Sequence, residues 1–181
     1  VCSGLPFHAL SVKTSPLPII TKHSYYALLL FIAESGCRRA ACAKLRIKDL
    51  DIEHRTAMID SKGGKRRRVV FGDACAEALE VWLGVRPNVD HDYVFVSQKG
   101  KGPLSAKGVS NVIYSLAKRA GIERPRGPHA LRHRVGLTMA RKHVGVRLAQ
   151  EYMGHSSPET TYKYYQIGDE SDLRDIANLL G

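Results

Sequence analysis

Short runs of β-type residues are concentrated in one stretch of the sequence, and helical patterns lie on both sides of it. The runs cover residues 50–53, 57–60 and 67–71, and turn or polar residues separate them. The second and third runs flank Lys62-Gly63-Gly64-Lys65, whose glycine pair suits the turn of a hairpin. We therefore expect one small antiparallel sheet within a mainly helical domain.

The remaining apolar positions follow helical periodicity. Before the sheet, the pattern predicts a helix that begins near Thr21 or Ser24 as N-cap and ends at Gly36, then a short helix over residues 39–45. After Gly72, apolar residues recur at three- and four-residue intervals. The helices expected there cover residues 75–83, 109–120, 129–143, 146–153, 158–165 and 171–180, with an extended segment at 93–97. The predicted fold class is α+β, mainly α-helical with a small three-stranded antiparallel sheet.

The length of 181 residues suits a single domain with a sizeable core. Residues 1–20 contain three prolines and no clear period, which predicts an arm or linker, and the domain is expected to cover residues 21–181. The four cysteines form no CxxC pair, and Cys37, Cys42 and Cys75 lie in apolar helical contexts, so we expect small buried side chains rather than a disulfide framework or zinc site.

The charge of the chain is strongly positive and unevenly distributed. Lys and Arg number 28 against 17 Asp and Glu, which gives a net charge of +11 and indicates a polyanionic partner. Basic residues crowd the predicted hairpin, and residues 126–150 hold six Lys or Arg without one Asp or Glu. The longest apolar run, residues 27–33, is far too short for a membrane span. A soluble cytoplasmic protein that binds nucleic acid is the expectation.

Several residues have side chains that suit phosphoryl transfer on DNA. His129 and Arg132 are spaced to share one face of a helix, Gly154-His155 follows a predicted helix end, and Tyr164 lies nine residues beyond His155. Guanidinium groups can brace a phosphate and its transition-state charge, and a tyrosine hydroxyl can form a covalent phosphoenzyme. A proton donor and a proton acceptor complete such a site. No carboxylate cluster that would hold magnesium is evident.

The order and spacing of these residues resemble the catalytic domain of the tyrosine recombinases, the phage-integrase family. Its pattern is an Arg after a Gly at a helix start, a Lys on a β-hairpin, His-x-x-Arg, and Gly-His with a Tyr nine residues beyond the His. The matching positions are Arg38, Lys62, His129, Arg132, His155 and Tyr164. The resemblance extends from about residue 21 to the end of the chain.

The resemblance implies a mechanism that needs neither metal nor cofactor. Arg38 and Arg132 would bind the scissile phosphate, with His155 hydrogen-bonded to it. Tyr164 would attack to give a 3′-phosphotyrosine and a free 5′-hydroxyl. Lys62 would be the general acid for the leaving oxygen, and His129 would accept or relay the tyrosine proton.

The resemblance also implies partners and surfaces. Double-stranded DNA would be the substrate, and copies of the chain would assemble on it as a tetrameric synapse through the helix at residues 171–180. The expected location is the cytoplasm, at the nucleoid if the source is bacterial, with no membrane partner. The separate DNA-binding domain that precedes such catalytic domains is not expected in residues 1–20. The expected DNA-binding residues are Lys65, Arg66, Arg67, Arg68, Arg126, His133 and Arg134.

Some positions depart from the family pattern, and some assignments have competitors. Ala41 stands where an acidic residue is usual, Cys37 where Leu is usual, and Ser61 where Gly often precedes the hairpin Lys. The competitors are Arg39 for Arg38, Lys65 for Lys62, and Tyr162 or Tyr165 for Tyr164. Two other functions stay open: a DNA-binding module with a degenerate site, and an enzyme like a type IB topoisomerase that relaxes DNA. The target sequence, and whether the reaction integrates, excises or resolves, are not specified.

Overall fold

The computed structural model describes residues 17–61, 64–97, 102–122 and 127–166. The strands follow one another in a single stretch of the chain, with helices on both sides of it, as the sequence predicts. The helices are α1 (Ile19–Ser35), α2 (Arg39–Ala43), α3 (Asp73–Val85), α4 (Ala106–Arg119), α5 (Pro128–Arg141), α6 (Val146–Met153) and α7 (Pro158–Tyr165). The strands are β1 (Leu50–Asp51), β2 (Thr56–Asp60) and β3 (Arg66–Val70). A 3₁₀ helix, Ile47–Asp49, precedes β1.

The three strands form an antiparallel sheet in the order β1-β2-β3, which confirms the predicted fold class. Ala57 faces both Leu50 and Val69 in the register. Alternation along the strands places Ala57, Ile59 and Val69 in the core. The Ser61 amide donates to the Lys65 carbonyl at 2.6 Å and closes the β2–β3 hairpin.

Helix α1 contributes one continuous stripe of buried side chains to the apolar core. Leu28, Phe31 and Ile32 are fully buried, and α1 packs most extensively on α3. Phe31 meets Phe71, at the end of the sheet, edge-on with 5.8 Å between ring centroids. On α3, the predicted stripe is buried, and the Trp82 indole donates to the Val94 carbonyl at 2.9 Å. The sheet and α3 are thereby fixed on one central helix.

The start of α1 differs from the prediction. The helix begins at Ile19 after Pro18, and the Pro18 carbonyl accepts the Lys22 amide at 2.9 Å. Thr21 and Ser24, the predicted N-caps, lie inside the helix and are buried. No side chain caps this end; Pro18, with φ fixed by its ring and an extended ψ, starts the first turn instead.

Two further expectations are modified by the structure. Residues 93–97 do not form a strand with a continuous ladder; they make isolated bridges, Arg46 to Tyr93 and Val96 to Pro103. The cysteines at 37, 42 and 75 are buried and unpaired, as predicted, although Cys37 lies between α1 and α2 rather than in a helix.

The last three described helices bring the remaining motifs to the end of α1. Helices α6 and α7 have the predicted bounds, and α5 begins and ends within two residues of its predicted limits. Helix α5 packs on α1, and α7 packs on both α5 and α6. The predicted helix at residues 171–180 lies outside the described residues.

None of the helices within the described ranges combines the length and apolar character needed to cross a membrane. Within the same ranges, no group of three or more His, Cys, Asp or Glu side chains is placed to hold a metal ion.

Candidate active site

The end of α1 places Arg38 at the surface. Gly36 ends the helix with φ +59°, in the left-handed region that favours glycine. Cys37 is buried immediately afterwards, and Arg38 is exposed at the start of α2. Within the described part of the chain, the Arg38 guanidinium has no hydrogen-bond or ion-pair partner. Its competitor Arg39 is already engaged, because its Nη1 donates to Ser110 Oγ at 2.9 Å.

Arg132 is a buried cation held by backbone carbonyls. Arg132 is 4% exposed. Its Nη1 donates to the carbonyl of Gly36, the residue that ends α1. Its Nη2 donates to the Met153 carbonyl at 2.5 Å, at the end of α6. Burial, followed by the nearby Arg38 charge, lowers the pKa of Arg132 to about 10. The guanidinium therefore stays charged at neutral pH and joins three segments of the chain.

His155 is placed by the turn that ends α6. Gly154 has φ +60°. Its amide donates to the Glu151 carbonyl at 3.0 Å, and the His155 amide donates to the Gln150 carbonyl at 3.1 Å. This is the Schellman arrangement. The His155 Nδ1 lies 2.9 Å from Thr161 Oγ1 on α7. Burial, with the charges of Arg132, Arg38 and Arg67, lowers the pKa of His155 to about 4, so the ring is neutral at pH 7.

Tyr164 lies between two histidines and against a glycine. The residue is 8% exposed, and its ring is nearly parallel to that of His155, with 6.2 Å between centroids. The His133 ring lies on another side at 5.1 Å. A Cβ at Gly136 would come within 2.7 Å of the Tyr164 ring, so the close approach requires glycine. The other tyrosines differ, because Tyr162 is 50% exposed and the Tyr165 hydroxyl donates to the Val144 carbonyl.

The structure thus brings Arg38, Arg132, His155 and Tyr164 close enough for their charges to interact. The charge of Arg38 acts on both Arg132 and His155, and Arg132 interacts with Tyr164. His129 is exposed in the first turn of α5 and lines, with Arg38, an open cleft of about 430 Å³. Lys62 lies outside the described residues.

The predicted DNA-binding residues do not share one environment. Lys65, Arg68 and Arg134 are exposed, whereas Arg66 forms an ion pair with Asp49 at 2.5 Å. His133 is exposed, and its ring is tilted by 52° relative to that of Tyr164.

Arg67 lies in a different environment from the other predicted DNA-binding residues. Its Nη1 donates to the Tyr152 carbonyl at 3.0 Å and its Nη2 to the Met153 carbonyl at 3.4 Å. Alternation along β3 turns this side chain inward while its neighbours point outward. Arg126 lies outside the described residues.

Three residues that support the site were missed from the sequence. Thr161 is buried and contacts His155, and the Tyr152 hydroxyl donates to the Glu34 carbonyl at 2.6 Å. Gly136 makes room for Tyr164. A glycine inside an otherwise helical pattern was the one available signal of a close approach.

Comparison with known proteins agrees with this architecture. The fold is that of a tyrosine recombinase catalytic domain: the crystal structure of XerA recombinase is 28% identical, with a TM-score of 0.75 over 92% of this chain and 66% of that one. A XerH site-specific recombinase in a post-cleavage complex with a palindromic difH substrate is 26% identical, with a TM-score of 0.77 over 96% of this chain and 49% of that one.

Sequence comparison identifies the family. The model of the phage integrase family matches residues 13–171. Tyrosine recombinase XerC of Bacillus subtilis (strain 168) is 31% identical over 151 residues, which cover 80% of this chain. The chain spans about half the length of the curated relatives it matches, 49% for this XerC and 51% for XerC of Staphylococcus carnosus. The chain belongs to the phage integrase family, the tyrosine recombinases.

Proposed function

We propose that this chain is the catalytic part of a site-specific DNA recombinase that cuts and rejoins strands through a covalent phosphotyrosine. The observation that carries the proposal is the convergence of Arg38, Arg132 and His155 beside Tyr164. Two guanidinium groups and a neutral imidazole next to a phenol match the needs of a phosphate under nucleophilic attack.

In the proposed step, the Tyr164 oxygen bonds to phosphorus while the bond from phosphorus to the 5′ oxygen breaks. The phenol proton passes to His129, and the departing oxygen takes a proton from Lys62. Arg38 and Arg132 stabilise the charge on the non-bridging oxygens. The products are a 3′-phosphotyrosine and a free 5′-hydroxyl, and attack by a hydroxyl of the partner duplex reverses the step.

The environment of His155 supports its role as a neutral hydrogen-bond donor. Its lowered pKa keeps the ring uncharged at pH 7. The Thr161 hydroxyl lies at hydrogen-bond distance from Nδ1, and when Nδ1 accepts this bond the ring proton is on Nε2. The Nε2–H then serves a phosphate oxygen.

DNA is the proposed partner, held by the exposed cations of the hairpin and α5. Lys65, Arg68 and Arg134 suit phosphate contacts that give affinity and salt dependence. Assembly on DNA as a tetramer through residues 171–180, and action in the cytoplasm at the nucleoid, complete the proposal. The similar XerH recombinase is known in pre-cleavage and post-cleavage complexes with difH substrates, which supports DNA as the partner.

Covalent trapping tests the proposal. The protein is incubated with duplexes bearing candidate sites and a nick next to the cleavage position, so that the short released fragment diffuses away. A protein–DNA adduct that survives denaturing electrophoresis is expected with wild type and with Tyr162→Phe, and none with Tyr164→Phe. Equal adduct from Tyr164→Phe contradicts the nucleophile assignment.

The same experiment separates the alternatives. Salt-sensitive DNA binding without an adduct on any candidate site supports a binding module instead. An adduct accompanied by relaxation of supercoiled plasmid, but without recombinant products from two sites, supports an enzyme like a type IB topoisomerase.

A further inference from the structure

Arg67 is set apart from the other basic residues of the hairpin by its surroundings. Arg66 and Arg68 on the same strand are exposed, but the Arg67 side chain is half-buried and its Nε is shielded from solvent. Two of its nitrogens donate to carbonyls of the last turn of α6, those of Tyr152 and Met153. The cation therefore joins the sheet to the end of α6, two residues before His155.

The fit between Arg67 and the next residue of that turn is close. A Cβ at Gly154 would lie 2.5 Å from Arg67 Nε and 2.8 Å from its Cζ. The guanidinium thus lies against the bare backbone of Gly154, where the chain has φ +60°. Among the described residues, Arg67 Nε has no hydrogen-bond partner, which costs stability. Arg67 thus leaves one nitrogen without a hydrogen bond to the described part of the chain, while the other two hold the turn in place.

The turn held by Arg67 also carries Arg132. The Met153 carbonyl accepts from Arg67 Nη2 at 3.4 Å and from Arg132 Nη2 at 2.5 Å. Two positive charges share this oxygen because a carbonyl has two lone pairs and the C-terminus of a helix is electronegative. Moving this carbonyl would change the orientation of Arg132 and, two residues later, of His155.

We propose that Arg67 is a positioning residue, which fixes the turn formed by Met153, Gly154 and His155 so that Arg132 and His155 keep their geometry at the phosphate. The expected effect on the cleavage rate rests on the proposed function, whereas the placement of the turn by Arg67 does not. Arg67 acts through the turn and not through a contact with DNA.

The kinetic test compares Arg67→Met with Arg86→Met, because Arg86 is also half-buried and donates to backbone carbonyls, those of His91 and Tyr93, away from the site. Small misplacement of reacting groups lowers rates by about tenfold to a hundredfold. We expect Arg67→Met to lower single-turnover cleavage by that factor while the DNA dissociation constant changes less than threefold. Arg67→Lys, which retains one donor, recovers part of the rate. Arg86→Met should leave the cleavage rate unchanged.

A spectroscopic test requires no cleavage activity. The pKa of His155 is lowered by burial and by Arg132, Arg38 and Arg67, and its ring also faces Thr161 and Tyr164 on α7. In NMR titrations of the histidine ring protons, we expect Arg67→Met to raise the pKa of His155 and Arg66→Met to leave it unchanged. Arg67→Lys retains a charge and provides the comparison if the methionine variant does not fold.

An unchanged His155 titration in Arg67→Met, together with weaker DNA binding and an unchanged cleavage rate, would overturn the inference in favour of a direct phosphate contact. If wild type itself forms no adduct, the proposed function fails, and the titration still decides the role of Arg67.

Discussion

The helices that carry Arg132, His155 and Tyr164 are held in place differently from the helices of the core. Within the described ranges, every fully buried member of the main apolar cluster lies between Ala27 and Ile113. Helices α5–α7 contact that core at its edge, where Leu131 packs against it. Directional bonds to backbone carbonyls, from Arg132 to Gly36 and from Tyr152 to Glu34, hold them to the end of α1. We call α1–α4 with the sheet the core half, and α5–α7 the site half. The core half provides stability, and the site half provides defined positions for reactive groups.

This difference has a physical basis in the two kinds of contact. Apolar burial is non-directional and scales with area, so it stabilises a core without fixing one atom to within a fraction of an ångström. A buried guanidinium bound to two carbonyls is costly to desolvate, but it is satisfied in one orientation only. Changes in the two regions should therefore separate stability from activity.

The largest expected effect is a loss of stability in the core half. Trp82→Ala removes a fully buried side chain and its bond to the Val94 carbonyl. We expect the free energy of unfolding to fall by about 3–5 kcal/mol, measured by urea denaturation. Val81→Ala, an exposed position on the same helix, should stay within about 0.5 kcal/mol of wild type. A small effect at Trp82 would show that the core half does not dominate stability.

The next effect is a loss of activity in the site half. Arg132→Met should lower the cleavage rate about 10²–10³-fold, because a donor to the phosphate in the transition state is lost. The free energy of unfolding should fall by only about 1–3 kcal/mol, because the Gly36 carbonyl loses its donor and the Met153 carbonyl keeps only the longer bond from Arg67. The measurements are single-turnover cleavage and urea denaturation.

Arg86→Met is the control, since Arg86 donates to the carbonyls of His91 and Tyr93, away from the site. It should destabilise the fold to a similar extent and leave cleavage unchanged. A parallel loss of cleavage in both variants would mean that activity simply follows stability.

Gly136 and Gly84 allow the same substitution to be made once in each half of the molecule. Gly136→Ala places a Cβ within 2.7 Å of the Tyr164 ring and should displace the tyrosine, lowering adduct formation about 10²-fold. Gly84→Ala on α3 meets nothing within 4 Å and should stabilise the fold by about 0.5–1 kcal/mol with no change in activity. Covalent-adduct kinetics and thermal unfolding measure the two effects. Normal kinetics in Gly136→Ala would show that Tyr164 needs no such close packing.

The smallest effect is a dependence of stability on pH. The pKa of His155 is about 4 in the folded chain against an ordinary value of 6.5, so the unfolded chain binds a proton first as pH falls. The stability linked to His155 is complete above pH 6.5 and is lost as the pH falls from 6.5 to 4. The full shift corresponds to about 3.4 kcal/mol, and we expect about 2 kcal/mol because solvent and salt screen the arginine charges.

The measurement compares urea denaturation of wild type and His155→Gln at pH 7 and pH 4.5. The difference between the two proteins isolates His155 from His54, whose pKa is raised by Asp51 and whose effect has the opposite sign. Parallel pH profiles would contradict a neutral, buried His155.

The sequence was most informative where local signals sufficed. Glycines at helix ends and proline at a first turn defined α6 and α7, and the hairpin glycines indicated the sheet. The start of α1 was misplaced because N-cap preference favours Thr21 and Ser24, whereas packing buries both inside the helix. Tertiary burial outweighed local propensity there.

For the site, motif spacing identified the groups but not their supports. Nothing local distinguishes Arg67 from Arg66 and Arg68, since only the pairing of β3 with β2 decides which of them turns inward. The carbonyl partners of Arg132 lie 96 and 21 residues away in the sequence, so no local pattern encodes them.

Locating the residue that becomes attached to DNA identifies the nucleophile most directly. Trypsin cleaves after Lys163 and separates Tyr162 from Tyr164 and Tyr165, and fragmentation of the second peptide distinguishes the last two. After trapping on a nicked duplex, nuclease trimming and digestion, mass spectrometry should find a 3′-phosphonucleotide on Tyr164 alone. A nucleotide on Tyr162, on Tyr165 or on a serine would contradict the site described here.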